Sequence, residues 1–331
     1  MNDNLEEIWA EIETRINSKD QYLQRMVCIE LLYRTYIGAI GIPSHRFLSI
    51  EIPEAEKEKF VSFSVPKGFR LKTADYEVKH PGYTTCVLEA ASSEQNDVFT
   101  IVAKDILIEL HKYNDEADYL NALKERISKW EDFFKRASSQ LLSDIAVIGL
   151  IGELTFILNM QDEGINSISD YWNGPIKSAQ DFQSESVAIE VKTTSANKIE
   201  AVNISSEIQL NDEDGRELYL SVFRVERNDA TGTRLPQFVE NVRRGLNESQ
   251  KGSFDAKLMC LGYRNEDAEK YIKGYNVKDN KNYLVVDGFP RIIPEDLPHD
   301  IFDVKYKINL INCDMFLTEM ENIVDSIKEN E

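Results

Sequence analysis

Leu5, Ile8, Trp9, Ile12 and Ile16 fall on one face of a helix, and the pattern predicts helix over residues 4–34. From Tyr36 to Ala103 the period shortens to β-like runs, among them Arg46–Ile52, Phe60–Val65 and Thr84–Ala90. Pro43, Pro53, Pro66-Lys67-Gly68 and Pro81-Gly82 punctuate these runs as turns. Residues 1–105 therefore read as an α+β domain, with no catalytic motif in it. Residues 104–136 return to a highly charged helical pattern, so 106–140 reads as a connector. The next helix, roughly Ser138 to Asn159, is apolar nearly all round and is expected to be buried, with Glu153 as the one ionisable group of its second half. Asp162 to Tyr171 reads as a polar loop.

Chemistry enters at the hairpin that follows. Val187, Ile189 and Val191 alternate with Ala188, Glu190 and Lys192. Residues 187–193 thus predict a strand with one apolar side, whose other side presents an acid and an ammonium two residues apart. The stretch around Asp181 reads as a partner strand, with a turn near Ser184-Glu185-Ser186. Folded symmetrically about Glu185, the hairpin sets Asp181 opposite residue 189 or 190, and two carboxylates come within reach of one cation. Two carboxylates and a backbone carbonyl suit Mg²⁺, a hard cation. Such a cation polarises a phosphodiester and helps ionise an attacking water. Lys192 would orient or deprotonate that water and offset the developing negative charge. On spacing alone the triplet equally describes an ordinary solvent-facing strand. Glu153, an acid inside an apolar helix, requires a partner, either a structural salt bridge or a cation.

Charge changes the picture. Lys and Arg number 38 against 58 Asp and Glu, a net of −20, which disfavours loose non-specific binding to nucleic acid. Residues 221–294 run the other way, with 13 basic and 10 acidic side chains, so a locally basic groove remains compatible with phosphate contacts. Cys28, Cys86, Cys260 and Cys313 are scattered without a CxxC pair and read as reduced core thiols. The four histidines lack metal spacing. No apolar run approaches the roughly 20 residues of a membrane span, and the acidic start is unlike a signal peptide. The expected location is the cytoplasm, with no membrane association. No P-loop, GxSxG or GxGxxG run is present, so ATP binding is not expected.

The order of a Gly-Glu helix, Trp172-Asn-Gly-Pro, Gln-Asp181-Phe and Ile-Glu190-Val-Lys192-Thr-Thr resembles the PD-(D/E)XK, or restriction-endonuclease-like, superfamily. The chain is similar in particular to a bacterial family of PD-(D/E)XK proteins of unknown function found in restriction-like phage-defence operons. Further similar stretches are Ile204–Leu210, Leu261-Gly-Tyr263 and Val286–Ile292. The resemblance covers most of the chain, is most specific between Ile148 and Thr194, and is weakest before about residue 105. It implies Asp181, Glu190 and the Val191 carbonyl as metal ligands, Lys192 as the catalytic lysine, and Glu153 as the helix acid that joins them. One departure is Gln180, where the motif's name carries proline. Proline there shapes the strand rather than binding metal.

The fold expected from the resemblance is an α/β nuclease core over 141–295. It would have a mixed four- or five-stranded sheet flanked by helices, with residues 296–331 supplying a closing strand around Tyr306–Leu310 and a helix. The N-terminal α+β domain would be accessory. The implied function is Mg²⁺- or Mn²⁺-dependent hydrolysis of DNA, by a homodimer where both strands are cut, with helicase-type ATPases or methyltransferases of the same operon as natural partners. A catalytically inactive scaffold of the same fold is the alternative, and the net charge favours it. Gln209 reads as a site residue or a surface glutamine. Arg243 and Arg244 read as phosphate contacts or a solvated helix face, and Arg291 as a phosphate or carboxylate clamp or part of a tight turn.

Overall fold

A computed structural model describes residues 5–27, 31–61, 63–66, 68–74, 81–137, 140–174, 179–212 and 215–329. The chain divides into two compact units, 1–140 and 141–331. In the first, helix α1 (Leu5–Arg15) precedes strands β1 (Tyr22–Met26), β2 (Thr35–Ile40) and β3 (His45–Pro53). The short helix α2 (Glu58–Val61), strands β4 (Phe69–Ala74) and β5 (Tyr83–Ala90), and helices α3 (Asn96–Leu110) and α4 (Glu116–Ala137) follow. The sheet is antiparallel, in the order β1-β2-β3-β5-β4.

Of the helix expected over 4–34, residues 4 and 28–30 lie outside the described residues, and the others form helix only over Leu5–Arg15. Asn17, Ser18 and Asp20 follow, residues whose side chains compete for the backbone, and the Asn17 N–H donates to Gln21 Oε1 at 2.7 Å. Tyr22–Met26 then pairs along β2, a preference set by the neighbouring strand rather than by local periodicity. The strand expected from Phe60 begins instead inside α2, where the Phe60 ring is fully buried. Within 106–140, α4 buries Tyr119, Leu120, Leu123, Ile127 and Trp130. Its Arg126 pairs with buried Asp105 of α3, which also accepts from Trp130 Nε1 at 2.7 Å. The stretch read as a connector is thus core material of the first unit.

The second unit opens on α5 (Asp144–Asp162), capped by Ser143, whose hydroxyl accepts from the Ala146 N–H at 3.2 Å. After it come α6 (Ile168–Tyr171), β6 (Phe182–Gln183), β7 (Val187–Thr194), β8 (Ala201–Ile204), β9 (Glu217–Arg227), β10 (Thr233–Arg234), α7 (Leu235–Arg244) and α8 (Glu248–Leu261). β11 (Gly274–Leu284), β12 (Tyr306–Asn309), β13 (Leu317–Thr318) and α9 (Met320–Lys328) complete it. The sheet has six strands rather than four or five: β10-β11-β9-β7-β6, with β13 added on β11. It is mixed, because β7 and β9 run parallel while the other pairs are antiparallel. Both faces are covered. Val187, Ile189 and Val191 face α5 and belong to one core with apolar residues of α7, α8 and α9, while Ala188 joins a second core with the β8–β12 ribbon. The predicted alternation of β7 thus divides two cores rather than a core from solvent.

α5 starts later than predicted, and its first turn is exposed, with Ile145 85% accessible. It is the one helix among the described residues long and apolar enough to cross a bilayer, yet Leu150, Ile151, Leu154, Phe156, Ile157 and Met160 are buried in the core of this unit. Part of the expected polar loop after it is the short helix α6. Gly152 sets how closely α5 lies on β7, since a Cβ there would sit 2.3 Å from Thr193 Cγ2. Threonine is β-branched and stiff, so the clash is not relieved by a rotamer change. Gly152→Ala is expected to destabilise the protein by about 1–3 kcal/mol. Denaturant unfolding checks this, and an unchanged midpoint would show that helix and strand separate freely.

Candidate active site

The functional side chains converge at the end of β7. The hairpin register is Phe182 opposite Ile189 and Gln183 opposite Ala188, so the next pair outward is Asp181 opposite Glu190. β6 is only two residues long, and beyond it the Val191 N–H, facing the same edge, donates to Asp181 Oδ2 at 2.8 Å. In an antiparallel ladder a residue's N–H and C=O face the same neighbour, so the Val191 carbonyl points to this edge as well. Three contacts hold β6 in place. Trp172 bridges Phe182, the Asn173 N–H donates to the Asp181 carbonyl at 2.7 Å, and the Phe182 ring packs 4.8 Å from Phe156 of α5.

Glu190 is completely buried. Lys192 Nζ lies 2.5 Å from its Oε1, an ion-pair contact without hydrogen-bond alignment, and neither carboxylate oxygen has an aligned donor. The solvent-facing reading of this triplet is thereby excluded. Glu153 reaches the same place from α5, its Oε2 accepting from Trp172 Nε1 at 2.7 Å. Gln209, in the turn after β8, completes the arrangement. Its Oε1 accepts from Lys192 Nζ at 3.1 Å and from the Ser205 N–H at 2.8 Å.

Three acids thus share one ammonium. Burial, then repulsion from Asp181, pushes Glu153 up to about 8. Burial raises Asp181 too, against the pull of the Lys192 ammonium and the Val191 N–H. Glu190 is held well above the usual carboxylate range by burial and by Asp181. Burial disfavours the Lys192 ammonium, but Glu190 and Asp181 outweigh it and the lysine is raised. Three buried acids beside one ammonium would suit a divalent cation, for which Asp181, Glu190, the Val191 carbonyl and Glu153 are the available ligands. Among the described residues no three His, Cys, Asp or Glu side chains form a ready ligand cage: Glu153 and Asp181 are turned to protein donors, and Glu190 has the Lys192 ammonium beside it.

The other arginines have different surroundings. Arg243 bonds Asp255, Glu240 and Asn265, and exposed Arg244 pairs with Glu240. Arg291 is a carboxylate clamp within the chain, donating to the Leu210 carbonyl at 2.9 Å and to Asp212 at 3.1 Å. Sequence reasoning missed three residues of the site. Trp172 holds Glu153 through its indole N–H, a donor that when buried usually finds an acceptor. Tyr306, raised by burial, feels the charges of Lys192 and Glu190 and bonds the Ile292 backbone. Gln180 is buried and bonds the turn that carries Gln209. Of the cysteines, Cys86, Cys260 and Cys313 are buried, and Cys28 lies outside the described residues.

A mixed α/β fold whose sheet brings Asp181, Glu190 and Lys192 to one buried centre defines a nuclease-like protein of the PD-(D/E)XK class. The chain belongs to the family described as "Putative PD-(D/E)XK family member, (DUF4420)", whose profile matches residues 5–311. No curated protein and no solved structure matches it.

The raised acids set a pH dependence. A carboxyl whose folded pKa is raised favours the folded state below its unfolded value near 4.5, and that contribution is lost as pH rises through the folded value of about 8. The metal-free protein should therefore lose stability between pH 5 and pH 8. Glu153→Gln keeps the acceptor for Trp172 but removes the charge, and its Tm advantage over wild type should grow across that window. Thermal unfolding in EDTA measures it. A constant offset would mean that Glu153 does not titrate there.

Proposed function

We propose that this protein is an endonuclease hydrolysing DNA phosphodiester bonds with Mg²⁺ or Mn²⁺, acting in the cytoplasm within a bacterial restriction or phage-defence system. The observation that carries this reading is the buried centre in which Glu153, Asp181 and Glu190 surround Lys192. Asp181, Glu190 and the Val191 carbonyl would hold the cation, with Glu153 as a further ligand or as an anchor. A divalent cation bound there supplies positive charge that polarises the phosphodiester and lowers the pKa of water.

The chain's own side chains do the rest. Lys192, kept charged by Glu190 and aimed by Gln209, presents N–H donors to the attacking water and to the oxygen that gathers charge. The restriction-endonuclease-like core is 141–295, closed by 296–331, and the N-terminal α+β unit recognises a substrate or partner. Arg243 and Arg244 lie in the more basic stretch and would contact phosphates. One centre cuts one strand, so double-strand cleavage calls for a homodimer. Helicase-type ATPases or methyltransferases are the partners that the family resemblance suggests.

The net charge of −20 favours a second reading, a scaffold subunit that keeps the fold without the activity. Cleavage of plasmid and linear DNA with Mg²⁺ or Mn²⁺, with an RNA panel alongside, separates the two. Lys192→Ala should lower the rate by about 10²–10³-fold while the metal-dependent rise in Tm persists. Asp181→Asn should lose both. A wild-type chain that neither cuts nor gains Tm with metal is the scaffold.

A further inference from the structure

Gln180 occupies the position of the motif's proline, and it is 4% exposed. Its Nε2 faces three backbone carbonyls of the turn after β8: Ile208 at 3.3 Å, Gln209 at 3.3 Å and Asn211 at 3.2 Å. Carbonyls only accept, so the group facing them is the NH₂ and the orientation of the amide is decided. Its Oε1 in turn accepts from Gln183 Nε2 at 2.6 Å, and Gln183 Oε1 accepts from Asn173 Nδ2 at 3.2 Å. A directional row of amides thus runs from Asn173 to the turn. Arg291 holds the same turn through the Leu210 carbonyl and Asp212. The side chain that this turn carries into the centre is Gln209, on Lys192 and the Ser205 N–H.

We propose that Gln180 is a positioning residue: it clamps the 208–211 turn so that Gln209 holds the Lys192 ammonium in place. Proline fills the position in the motif's name, but it has no side-chain donor and could not make this clamp. The chain therefore replaces a residue that shapes the strand with one that ties the strand's start to the turn opposite the lysine. As an account of catalysis the inference rests on the nuclease reading; as an account of structure it does not.

The test uses the full chain and Gln180→Met, which keeps length and loses the donors, with Gln180→Pro as a second variant. In the metal-free protein, hydrogen exchange of the Ser205 amide should accelerate about tenfold in both variants, as its acceptor Gln209 is released. The Val191 amide, bonded to Asp181, should keep its protection. Unchanged exchange at Ser205, or equal loss at Val191, would overturn the proposal in favour of no role or of general structural support. On a DNA substrate, Gln180→Met should lower kcat about tenfold with KM within about twofold. In a Gln209→Ala background it should cost nothing further, because both changes remove one interaction. Losses that multiply would show that Gln180 does not act through Gln209. If the wild type cuts no substrate, the nuclease reading fails, and the Ser205 exchange still decides the clamp.

Discussion

Glu190 sits fully buried beside a single ammonium, with two further acids in the same field, and the second unit is organised around that contact. Removing a carboxylate from water costs several kcal/mol unless a counter-charge and hydrogen bonds return it. β7 lies between β6 and β9 with a core on each face, so Glu190 is shielded from bulk water and its charge is answered locally. Lys192 is one ammonium among three acids. Burial raises all three, so protons take up the remaining charge in the metal-free protein and make the centre sensitive to pH, and a divalent cation would displace them.

Around this charged group the supporting residues are neutral. Gln180, Gln183, Asn173, Gln209 and Trp172 supply hydrogen bonds without net charge. A further acid would deepen the repulsion, and a further lysine would compete with a cation for the carboxylates. Arg291, a second cation near this turn, is taken up by Asp212 and the Leu210 carbonyl. Gly152 supports the arrangement from α5, whose close approach to β7 places Glu153 beside the strand's end.

The charge distribution bears on how nucleic acid would be held. The stretch from 221 to 294 is the more basic part of the chain, yet Arg227, Arg243, Arg264, Lys270, Lys273 and Arg291 are all in ion pairs. Such pairs leave a weak long-range field for phosphates. If the proposed activity holds, affinity would come from the centre itself or from partner proteins.

Where the determining forces were local, the sequence by itself decided the outcome. The alternation of β7, the apolar length of α5 and the short turn at Glu185 specified the strand, the buried helix and the facing of Asp181 with Glu190. Local pattern failed where a distant neighbour chose the conformation. Tyr22–Met26 became a strand because β2 offered an edge, Phe60 turned inward on a short helix, and the charged α4 was core because Asp105 and apolar neighbours received it. The roles of Trp172 and Gln180 were equally unreadable, since their partners lie 19 and 28 residues away. A hydrogen bond needs both ends within about 3 Å, and only the folded sheet brings those ends together.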